Sequence, residues 1–176
     1  GILSMVDRLG ENKCFEQLFI KQSYDNQHAW ACYQVGESYF VTGKQVEAIR
    51  WYKKSVTLAP YNLDFRNKLG SALAASQNLN GAAEQFIFII GENPRYLQAY
   101  TNLGYIRLVQ GAPQETIKLY TIALKLDPDN EALLLNLAGY YAFMNDRSSA
   151  KKYLNQIIKK NPANQKAMAA LKQINS

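Results

Sequence analysis

Residues 97–130 read LQAYTNLGYIRLVQGAPQETIKLYTIALKLDPDN, and the pattern of this stretch returns along most of the 176-residue chain. Its closing proline recurs every 34 residues, at Pro60, Pro94, Pro128 and Pro162. Glycine keeps the same spacing at positions 36, 70 and 104, and alanine replaces it at position 138. Because several markers keep one phase over four periods, the sequence predicts four copies of one structural unit. The copies are residues 29–62, 63–96, 97–130 and 131–164.

Each copy is predicted to form two helices joined by a tight turn. In the quoted stretch, apolar residues recur at steps of three and four on both sides of one break, as one face of a helix requires. The break is GAP at residues 111–113. Glycine suits the left-handed residue after a helix, and proline suits the first position of the next one. In the fourth copy Asn145 takes the left-handed position, and Asp146 and Asp129 are predicted helix caps.

Rows of small and large residues mark the contact between the two helices of a pair. Gly36, Gly70 and Gly104 leave room where the helices cross, because a missing side chain allows close approach. The facing small row consists of Ala48, Ala82, Thr116 and Ala150. The large row consists of Tyr52, Phe86, Tyr120 and Leu154. Since an isolated pair cannot bury both of its apolar faces, neighbouring pairs are expected to stack.

This pattern resembles the tetratricopeptide repeat, whose markers are W-x2-L-G-x2-Y, then A-x3-F, then P. In the first copy the matching residues are Cys32, Val35, Gly36, Tyr39, Ala48, Tyr52 and Pro60. The departures are Arg66 and Arg107 at bulky apolar or aromatic positions, and Ala138 in place of glycine. The resemblance implies an all-α fold, a right-handed α-solenoid of antiparallel helix hairpins that forms a superhelix.

Both ends of the chain depart from the repeat. Residues 1–28 are interpreted as a degenerate leading repeat, with Cys14, Leu18 and Asn26 in the small, large and proline positions. The first apolar residues have almost no polar outer face, so this segment is expected to continue from a longer chain or to dock onto a partner. Residues 165–176 are expected to form a polar capping helix. Its inward residues are predicted to be Ala167, Met168, Leu171 and Ile174.

The net charge of +6 is concentrated near the end of the sequence. Residues 147–176 contain basic side chains and no acidic one. Such a surface could attract nucleic acid or an acidic protein. A solvated helix surface is the favoured interpretation, because the segment lacks the interleaved aromatic residues of a nucleic-acid platform. Nucleic acid is therefore not the expected partner.

No catalytic, metal or cofactor site is predicted. The histidine His28 is expected in a turn, without the second ligand or paired base that such sites need. Cys14 and Cys32 do not make a disulfide framework and are expected to be reduced core thiols. No apolar run approaches the ~20 residues that a membrane helix needs. The sequence therefore predicts a protein that is not an enzyme and binds no cofactor.

The resemblance implies a binding groove, because the first helix of each repeat lines the concave face in this family. By register, the residues placed there mix aromatic and amide side chains and include few charges. These thirteen groove residues are Trp30, Tyr33, Glu37, Phe40, Asn67, Lys68, Gln98, Thr101, Asn102, Tyr105, Leu135, Asn136 and Phe143.

The groove residues distinguish between known uses of the family. Members that bind the C-terminal carboxylate of a chaperone use a set of lysine, arginine and asparagine side chains. The matching positions here are Tyr33, Glu37, Lys68, Gln98 and Asn102, of which only Lys68 is basic, so this carboxylate clamp is predicted to be absent.

Two asparagines point to a different partner. Asn102 and Asn136 occupy the same position in consecutive repeats, which resembles asparagine ladders that hold the main chain of an extended peptide. A carboxamide can donate and accept hydrogen bonds at once, as a peptide unit does. The expected partner is therefore a protein or extended peptide segment that is uncharged or mildly apolar.

The leading hypothesis is a non-catalytic protein-binding or peptide-binding scaffold that mediates protein–protein interaction through a concave groove. The alternative is a regulatory or substrate-presenting arm of a larger enzyme whose catalytic domain lies outside this sequence. A third interpretation is a nucleic-acid binder of a related helical-hairpin type. The strict 34-residue period and the proline position favour the protein-binding family over the third interpretation.

Overall fold

A computed structural model describes the backbone of residues 2–175 and the side chains of residues 21–175. Over these residues the chain consists of α-helices joined by short turns, with no β-strand. The helices are α1 (Ile2–Val41), α2 (Gln45–Leu58), α3 (Leu63–Ala75), α4 (Leu79–Glu92), α5 (Leu97–Val109), α6 (Pro113–Leu126), α7 (Glu131–Phe143), α8 (Arg147–Lys160) and α9 (Gln165–Asn175). The all-α class predicted from the sequence is confirmed.

The chain divides into two compact units, Gly1–Gln85 and Phe86–Ser176. In the first unit, α2 packs against both α1 and α3. In the second unit, α5 packs on α6, α6 on α7, α7 on α8, and α8 on α9. Each unit is therefore built from helices that are consecutive in the sequence, as a repeat fold requires.

The turns inside the pairs repeat as regularly as the helices. Residues with positive φ lie 34 positions apart, at Gly43 (77°), Gln77 (66°), Gly111 (76°) and Asn145 (59°). Glycine and asparagine adopt this left-handed conformation most readily. The predictions for Gly111 and Asn145 are confirmed, and Pro113 is the first residue of α6 as expected.

A row of asparagines caps the helices that open the later pairs. The side-chain oxygens of Asn62, Asn130 and Asn164 accept hydrogen bonds from backbone N–H groups three residues later, at 3.1, 3.1 and 2.9 Å. The predicted cap Asp129 is wrong by one residue, because the side chain of Asn130 reaches the first turn of α7 instead. Asp146 caps α8 as predicted, by accepting from the Ser149 N–H at 3.0 Å.

The predicted helix crossings are tight at two of the glycines. A Cβ atom at Gly36 would lie 2.7 Å from Cδ1 of Tyr52, and one at Gly104 would lie 2.4 Å from Cε1 of Tyr120. Thr116 fits the small row because its hydroxyl donates to the Gly104 carbonyl oxygen at 3.0 Å. The large row, Tyr52, Phe86, Tyr120 and Leu154, is buried along its whole length.

Helix α7 contributes to two hydrophobic clusters of the second unit. One cluster contains Tyr100, Tyr120, Ala123, Leu133 and Leu137. The other contains Leu134, Ala138, Leu154, Ile157 and Ala167. Because α7 is anchored by both clusters, its remaining face is held in a fixed position. The prediction for Met168 is wrong, since this side chain is 45% exposed.

The start of the chain differs from the expectation of separate leading helices. Helix α1 runs without interruption from Ile2 to Val41, so His28 lies in a helix rather than in a turn. Asn26 holds the proline position but keeps its backbone N–H and brings no ring to clash with the preceding turn, so it does not end the helix. Cys32 is buried as expected, whereas the predictions for Cys14 and Leu18 lie outside the described side chains. The division into a leading segment, four repeats and a cap stays a prediction.

Candidate functional site

The groove residues all keep contact with solvent, and none of the thirteen is buried. The exposed ones are Trp30, Gln98, Tyr105, Asn136 and Phe143. The half-buried ones are Tyr33, Glu37, Phe40, Asn67, Lys68, Thr101, Asn102 and Leu135. They lie on α1 and α3 in the first unit and on α5 and α7 in the second.

Two aromatic groove residues of the first unit, Trp30 and Tyr33, form a cluster of rings with Phe65 of α3. Trp30 stacks on Tyr33 at 5.3 Å between ring centroids, and Tyr33 stacks on Phe65 at 4.9 Å. Trp30 is 56% exposed, whereas Phe65 is 3% exposed and holds the stack against α3. Phe65 is not among the predicted groove residues, although its position in the first turn of the amphipathic helix α3 indicates a buried residue.

Glu37 organises a hydrogen-bonded cluster, the Glu37 network, which comprises Glu37, Tyr52 and Lys68. The Glu37 carboxylate accepts a short hydrogen bond from the Tyr52 hydroxyl and another from Lys68 Nζ at 2.9 Å. The Phe40 ring lies 6.4 Å from the Tyr52 ring. Lys68, the basic residue at the predicted clamp positions, is therefore engaged by a carboxylate of the protein itself.

The contacts of the Glu37 network shift the pKa values of its members. Burial favours the protonated form of Glu37, but hydrogen bonds from Tyr52 and Lys68 outweigh it and lower the pKa of the carboxyl. Burial and the hydrogen bond to Glu37 raise the pKa of Tyr52 well above its usual range. Burial opposes the charged form of Lys68, yet the hydrogen bond to Glu37 gives a raised pKa. At neutral pH the network therefore consists of a carboxylate, an ammonium and a phenol.

The ion pair between Lys68 and Glu37 could have been predicted from the repeat register. Position 68 is one period after position 34, and position 34 lies one helical turn before Glu37. Residues on the first helices of neighbouring copies that are one turn apart in register are candidates for contact. Lys68 and Glu37 meet this condition and carry opposite charges.

A cavity of about 330 Å³, the α5–α7 cavity, opens among three helices of the second unit. Three groove residues line it: Tyr105, Asn136 and Phe143. The other lining residues are Leu108, Thr116, Tyr120, Gly139 and Tyr140. The lining contains no charged side chain, so the cavity suits an uncharged ligand group.

A second cavity, the α7–α9 cavity, measures about 350 Å³ and includes the groove residue Leu135. Its other lining residues are Ala138, Gly139, Ala142, Asn145, Arg147, Leu154, Ala170, Gln173 and Ile174. The Arg147 guanidinium donates to the Ile174 carbonyl oxygen at 3.3 Å. Gly139 lines both cavities, and a Cβ atom built there would meet no atom within 4 Å. The missing side chain at Gly139 therefore helps to keep both cavities open.

Thr101 and the two asparagines of the predicted ladder also belong to the groove residues of the second unit. The Thr101 hydroxyl donates to the Leu97 carbonyl oxygen of its own helix at 3.1 Å. Asn102 is half-buried on α5, and Asn136 is exposed on α7. The ladder formed by these two asparagines stays a prediction.

An open depression of about 650 Å³ lies in the first unit between α1 and the turn after α2. Its lining includes Lys21, Asp25, Pro60 and Tyr61. None of the thirteen groove residues lines it.

Several basic residues near the end of the sequence have partners within the second unit. Lys160 Nζ lies 3.0 Å from the Asp129 carboxylate. Lys152 Nζ lies 5.8 Å from the centre of the Tyr153 ring, so an aromatic residue does lie among these lysines, contrary to the sequence interpretation. The expectation that this surface does not serve nucleic acid stays a prediction.

Among the described residues, no group of three or more histidine, cysteine, aspartate or glutamate side chains is placed to hold a metal ion. In the same part of the chain, none of the helices has both the length and the apolar character needed to cross a membrane.

The fold and its repeating contacts define a helical-repeat protein, and comparison with known proteins gives the family. Two family models, each described as Tetratricopeptide repeat, match residues 67–131 and 107–174. The chain belongs to the tetratricopeptide repeat family, and the predicted tetratricopeptide-repeat fold is confirmed. Homologous repeats indicate a scaffold for protein–protein interaction.

Individual relatives are similar over parts of their sequences. The Small glutamine-rich tetratricopeptide repeat-containing protein of Dictyostelium discoideum is 29% identical over 97 residues, 55% of this chain and 29% of that protein. Protein O-mannosyl-transferase TMTC3 of Homo sapiens is 28% identical over 135 residues, 75% of this chain and 15% of that protein. The chain thus spans less than a third of the length of these curated relatives.

A solved structure supports the fold over nearly the whole chain. It is that of YrrB, described as a TPR protein with an unusual peptide-binding site. The TM-score is 0.70 at 23% sequence identity, and the match covers 97% of this chain and 87% of the other. At this level of identity the similarity shows the fold.

Proposed function

We propose that this protein is a non-catalytic scaffold that binds an extended, uncharged or mildly apolar peptide segment through the groove residues. The observation that carries the proposal is the α5–α7 cavity, because three residues predicted to bind a partner, Tyr105, Asn136 and Phe143, line one uncharged opening. Concave, largely apolar openings with a few polar groups are the usual form of ligand sites. The peptide-binding site ascribed to the similar protein YrrB supports the same interpretation.

Exposed aromatic rings supply the main attraction. Tyr105 is 57% exposed and Phe143 is 87% exposed. Covering such rings with apolar side chains of a partner gains roughly 25 cal/mol per Å² of apolar surface removed from water. Buried aromatic residues commonly contribute most of the energy of an interface. The α7–α9 cavity, whose lining is mostly aliphatic, would take an apolar side chain of the same segment.

The asparagines would hold the peptide backbone. Packed helices of neighbouring repeats suggest a separation of roughly 10 Å between Asn102 and Asn136. An extended peptide advances about 3.3 Å per residue. The two carboxamides would therefore meet main-chain groups about three residues apart, and each can both donate and accept.

The first unit contributes a different surface. Lys68 is paired with Glu37 at 2.9 Å, so it is not free to receive a C-terminal carboxylate, in line with the predicted absence of a clamp. The exposed Trp30 ring stacks on the half-buried Tyr33 ring. We assign this stack to contact with apolar side chains of a protein partner.

The experiment uses a displayed library of random twelve-residue peptides. Peptides selected by the wild-type chain are synthesised, and their dissociation constants are measured by fluorescence anisotropy. Tyr105→Ala should weaken binding most. Asn102→Ala and Asn136→Ala should each cost about 0.5–1.5 kcal/mol, the net value of a neutral hydrogen bond, which is a change of roughly two-fold to ten-fold.

Tyr24 provides the matched control for Tyr105. It is a tyrosine of similar exposure, 61%, and it is not a groove residue. Tyr24→Ala should leave the dissociation constants unchanged. If the selected peptides bind all of these variants equally well, the groove residues are not the binding site.

A second candidate function is the substrate-presenting arm of a larger enzyme. The observation in its favour is the similarity to Protein O-mannosyl-transferase TMTC3, which this chain matches over 15% of its length. In that case the same groove residues would bind the protein that the catalytic domain modifies. A catalytic domain encoded in the same reading frame would favour this candidate.

A further inference from the structure

The α5–α7 cavity and the Glu37 network occupy the same positions of the repeat. Two periods, 68 residues, separate them in the sequence. The equivalent pairs are Glu37 and Tyr105, Tyr52 and Tyr120, and Lys68 and Asn136. In the first unit a carboxylate accepts from the tyrosine hydroxyl and from the lysine. In the second unit Tyr120 and Asn136 occupy the two donor positions and line the cavity. The acceptor position is occupied by Tyr105, which has no carboxylate.

Tyr120 is left with an unused donor at this cavity. The residue is 3% exposed and lines the α5–α7 cavity. Among the described residues, its hydroxyl has no hydrogen-bond partner, whereas the hydroxyl of its counterpart Tyr52 donates to Glu37. The Tyr120 oxygen is not among the buried atoms without a partner, so the hydroxyl is open to the cavity. A ligand that covered it would leave the hydroxyl unsatisfied unless the ligand accepted its hydrogen bond, which favours a bound group with an acceptor.

The charge of the lining decides which acceptor fits. In the first unit Lys68 compensates the charge of Glu37. In the second unit the equivalent residue is Asn136, and the lining contains no cation. A carboxylate placed there would lose its hydration without gaining a counter-charge. A carboxamide has the shape of a carboxylate without the charge, and it both accepts and donates.

We propose that the α5–α7 cavity takes the side chain of a glutamine from the bound peptide. Glutamine is the uncharged isostere of glutamate, the residue whose oxygens make the equivalent contacts in the first unit. Its amide oxygen accepts from the Tyr120 hydroxyl and from the Asn136 amide, and its methylene groups lie against Leu108 and the exposed aromatic rings. This assignment rests on the proposed function and specifies the side chain that the site recognises.

The test compares peptides selected from the same random library by two forms of the chain. Wild-type protein should enrich glutamine in the selected peptides. Asn136→Lys places at the cavity the ammonium that Lys68 supplies in the first unit, and should shift the enrichment from glutamine to glutamate. For one selected peptide, replacing its glutamine by glutamate should weaken binding to the wild type by roughly ten-fold and to Asn136→Lys by less, since the carboxylate loses hydration and only the lysine supplies a counter-charge.

Two further variants test the cavity itself. Gly139→Leu would fill open space, because no atom lies within 4 Å of a Cβ at this position. It should abolish the glutamine preference while circular dichroism stays helical. Gly91→Leu is the matched control, a helical glycine with equally open surroundings, and should keep the preference. Tyr120→Phe removes the donor and should also abolish it.

The outcomes separate this inference from the proposed function. Peptides that depend on Tyr105 but show no enrichment of glutamine would overturn the inference and leave the proposed function standing. Peptides with glutamine whose binding ignores Gly139→Leu would also overturn it. A library that yields no peptide dependent on the groove residues would overturn the proposed function, and the inference with it.

Discussion

The Glu37 network and the α5–α7 cavity have the same place in the repeat and opposite chemistry. In the first, an ion pair and a phenol satisfy one another at hydrogen-bonding distance. In the second, the lining is uncharged and the Tyr120 hydroxyl has no partner among the described residues. Both are built on the same crossing, Gly36 under Tyr52 and Gly104 under Tyr120.

The difference shows which positions of the repeat determine the fold and which are free for function. The glycine and the tyrosine of each crossing are buried and in close contact, so they are constrained by packing. The position directly after the glycine is Glu37 in one unit and Tyr105 in the other, and it faces solvent in part. This position can therefore change from an internal ion pair to a binding surface without altering the helix crossing.

The largest loss of stability is expected at the glycine–tyrosine crossing, which the Glu37 network and the α5–α7 cavity share. Gly104→Ala would place a methyl group 2.4 Å from a ring carbon of Tyr120, and Gly36→Ala would place one 2.7 Å from Tyr52. Each should lower the free energy of unfolding by about 1–3 kcal/mol, because an overpacked core must shift to relieve the contact. Urea unfolding checks the expectation.

Gly139→Ala is the matched control for these variants. Gly139 is also helical, but no atom lies within 4 Å of its Cβ position. Alanine is favoured over glycine inside a helix by roughly 0.5–1 kcal/mol, so this variant should be at least as stable as the wild type. Both tryptophans, Trp30 and Trp51, lie in the first unit, so fluorescence follows Gly36→Ala and circular dichroism follows Gly104→Ala. Equal losses in Gly104→Ala and Gly139→Ala would contradict the register.

The second-largest effect on stability should distinguish the Glu37 network from the α5–α7 cavity. Tyr52→Phe removes the donor to the Glu37 carboxylate, and we expect a loss of about 1.5 kcal/mol, the lower end of the range for a hydrogen bond to a charged group. Tyr120→Phe removes a hydroxyl with no partner among the described residues, and its stability should change little. Urea midpoints of the two variants, measured side by side, check this difference. Similar losses in both would show that the Tyr120 hydroxyl is already satisfied.

The fold was largely predictable because its determinants are local and periodic. The small, large and turn positions each recur at the spacing of one helix pair, and Tyr52, Phe86 and Gly111 behave as their rows require. The start of α1 was misread, because Asn26 in the proline position lacks the ring that ends a helix. The cap of α7 was misplaced by one residue, since aspartate and asparagine are about equally good caps and only the geometry selects Asn130.

The candidate site was predictable in part. The repeat register predicted groove residues that are exposed or half-buried. The contact between Glu37 and Lys68 could also have been predicted from it. The two cavities of the second unit were not predictable in the same way. They depend on an absent side chain at Gly139 and on how tightly three helices approach one another, and these are properties of packing rather than of any one position.

The smallest effect on stability is expected from the charge of the Glu37 carboxylate, which has no counterpart in the lining of the α5–α7 cavity. Burial favours protonated Glu37, but hydrogen bonds from Tyr52 and Lys68 prevail and hold the pKa of its carboxyl below the usual 4.5. A carboxyl with a lowered pKa in the folded state binds fewer protons than in the unfolded chain. Its contribution to stability is therefore present above the unfolded value and is lost as the pH falls through the folded value.

Glu37→Gln should consequently flatten the acid side of the stability profile of the first unit. The measurement is the urea midpoint from tryptophan fluorescence at about pH 6.5 and about pH 3.5, on either side of the range in which a glutamate titrates. Wild type should lose more stability between these two values than Glu37→Gln. Lys68→Met should lie between wild type and Glu37→Gln, because it removes one of the hydrogen bonds, and the positive charge, that lower the pKa of Glu37. The same loss in wild type and Glu37→Gln would mean that the carboxylate is solvated like any surface glutamate, and the contrast between the two regions would then rest on the uncharged cavity alone.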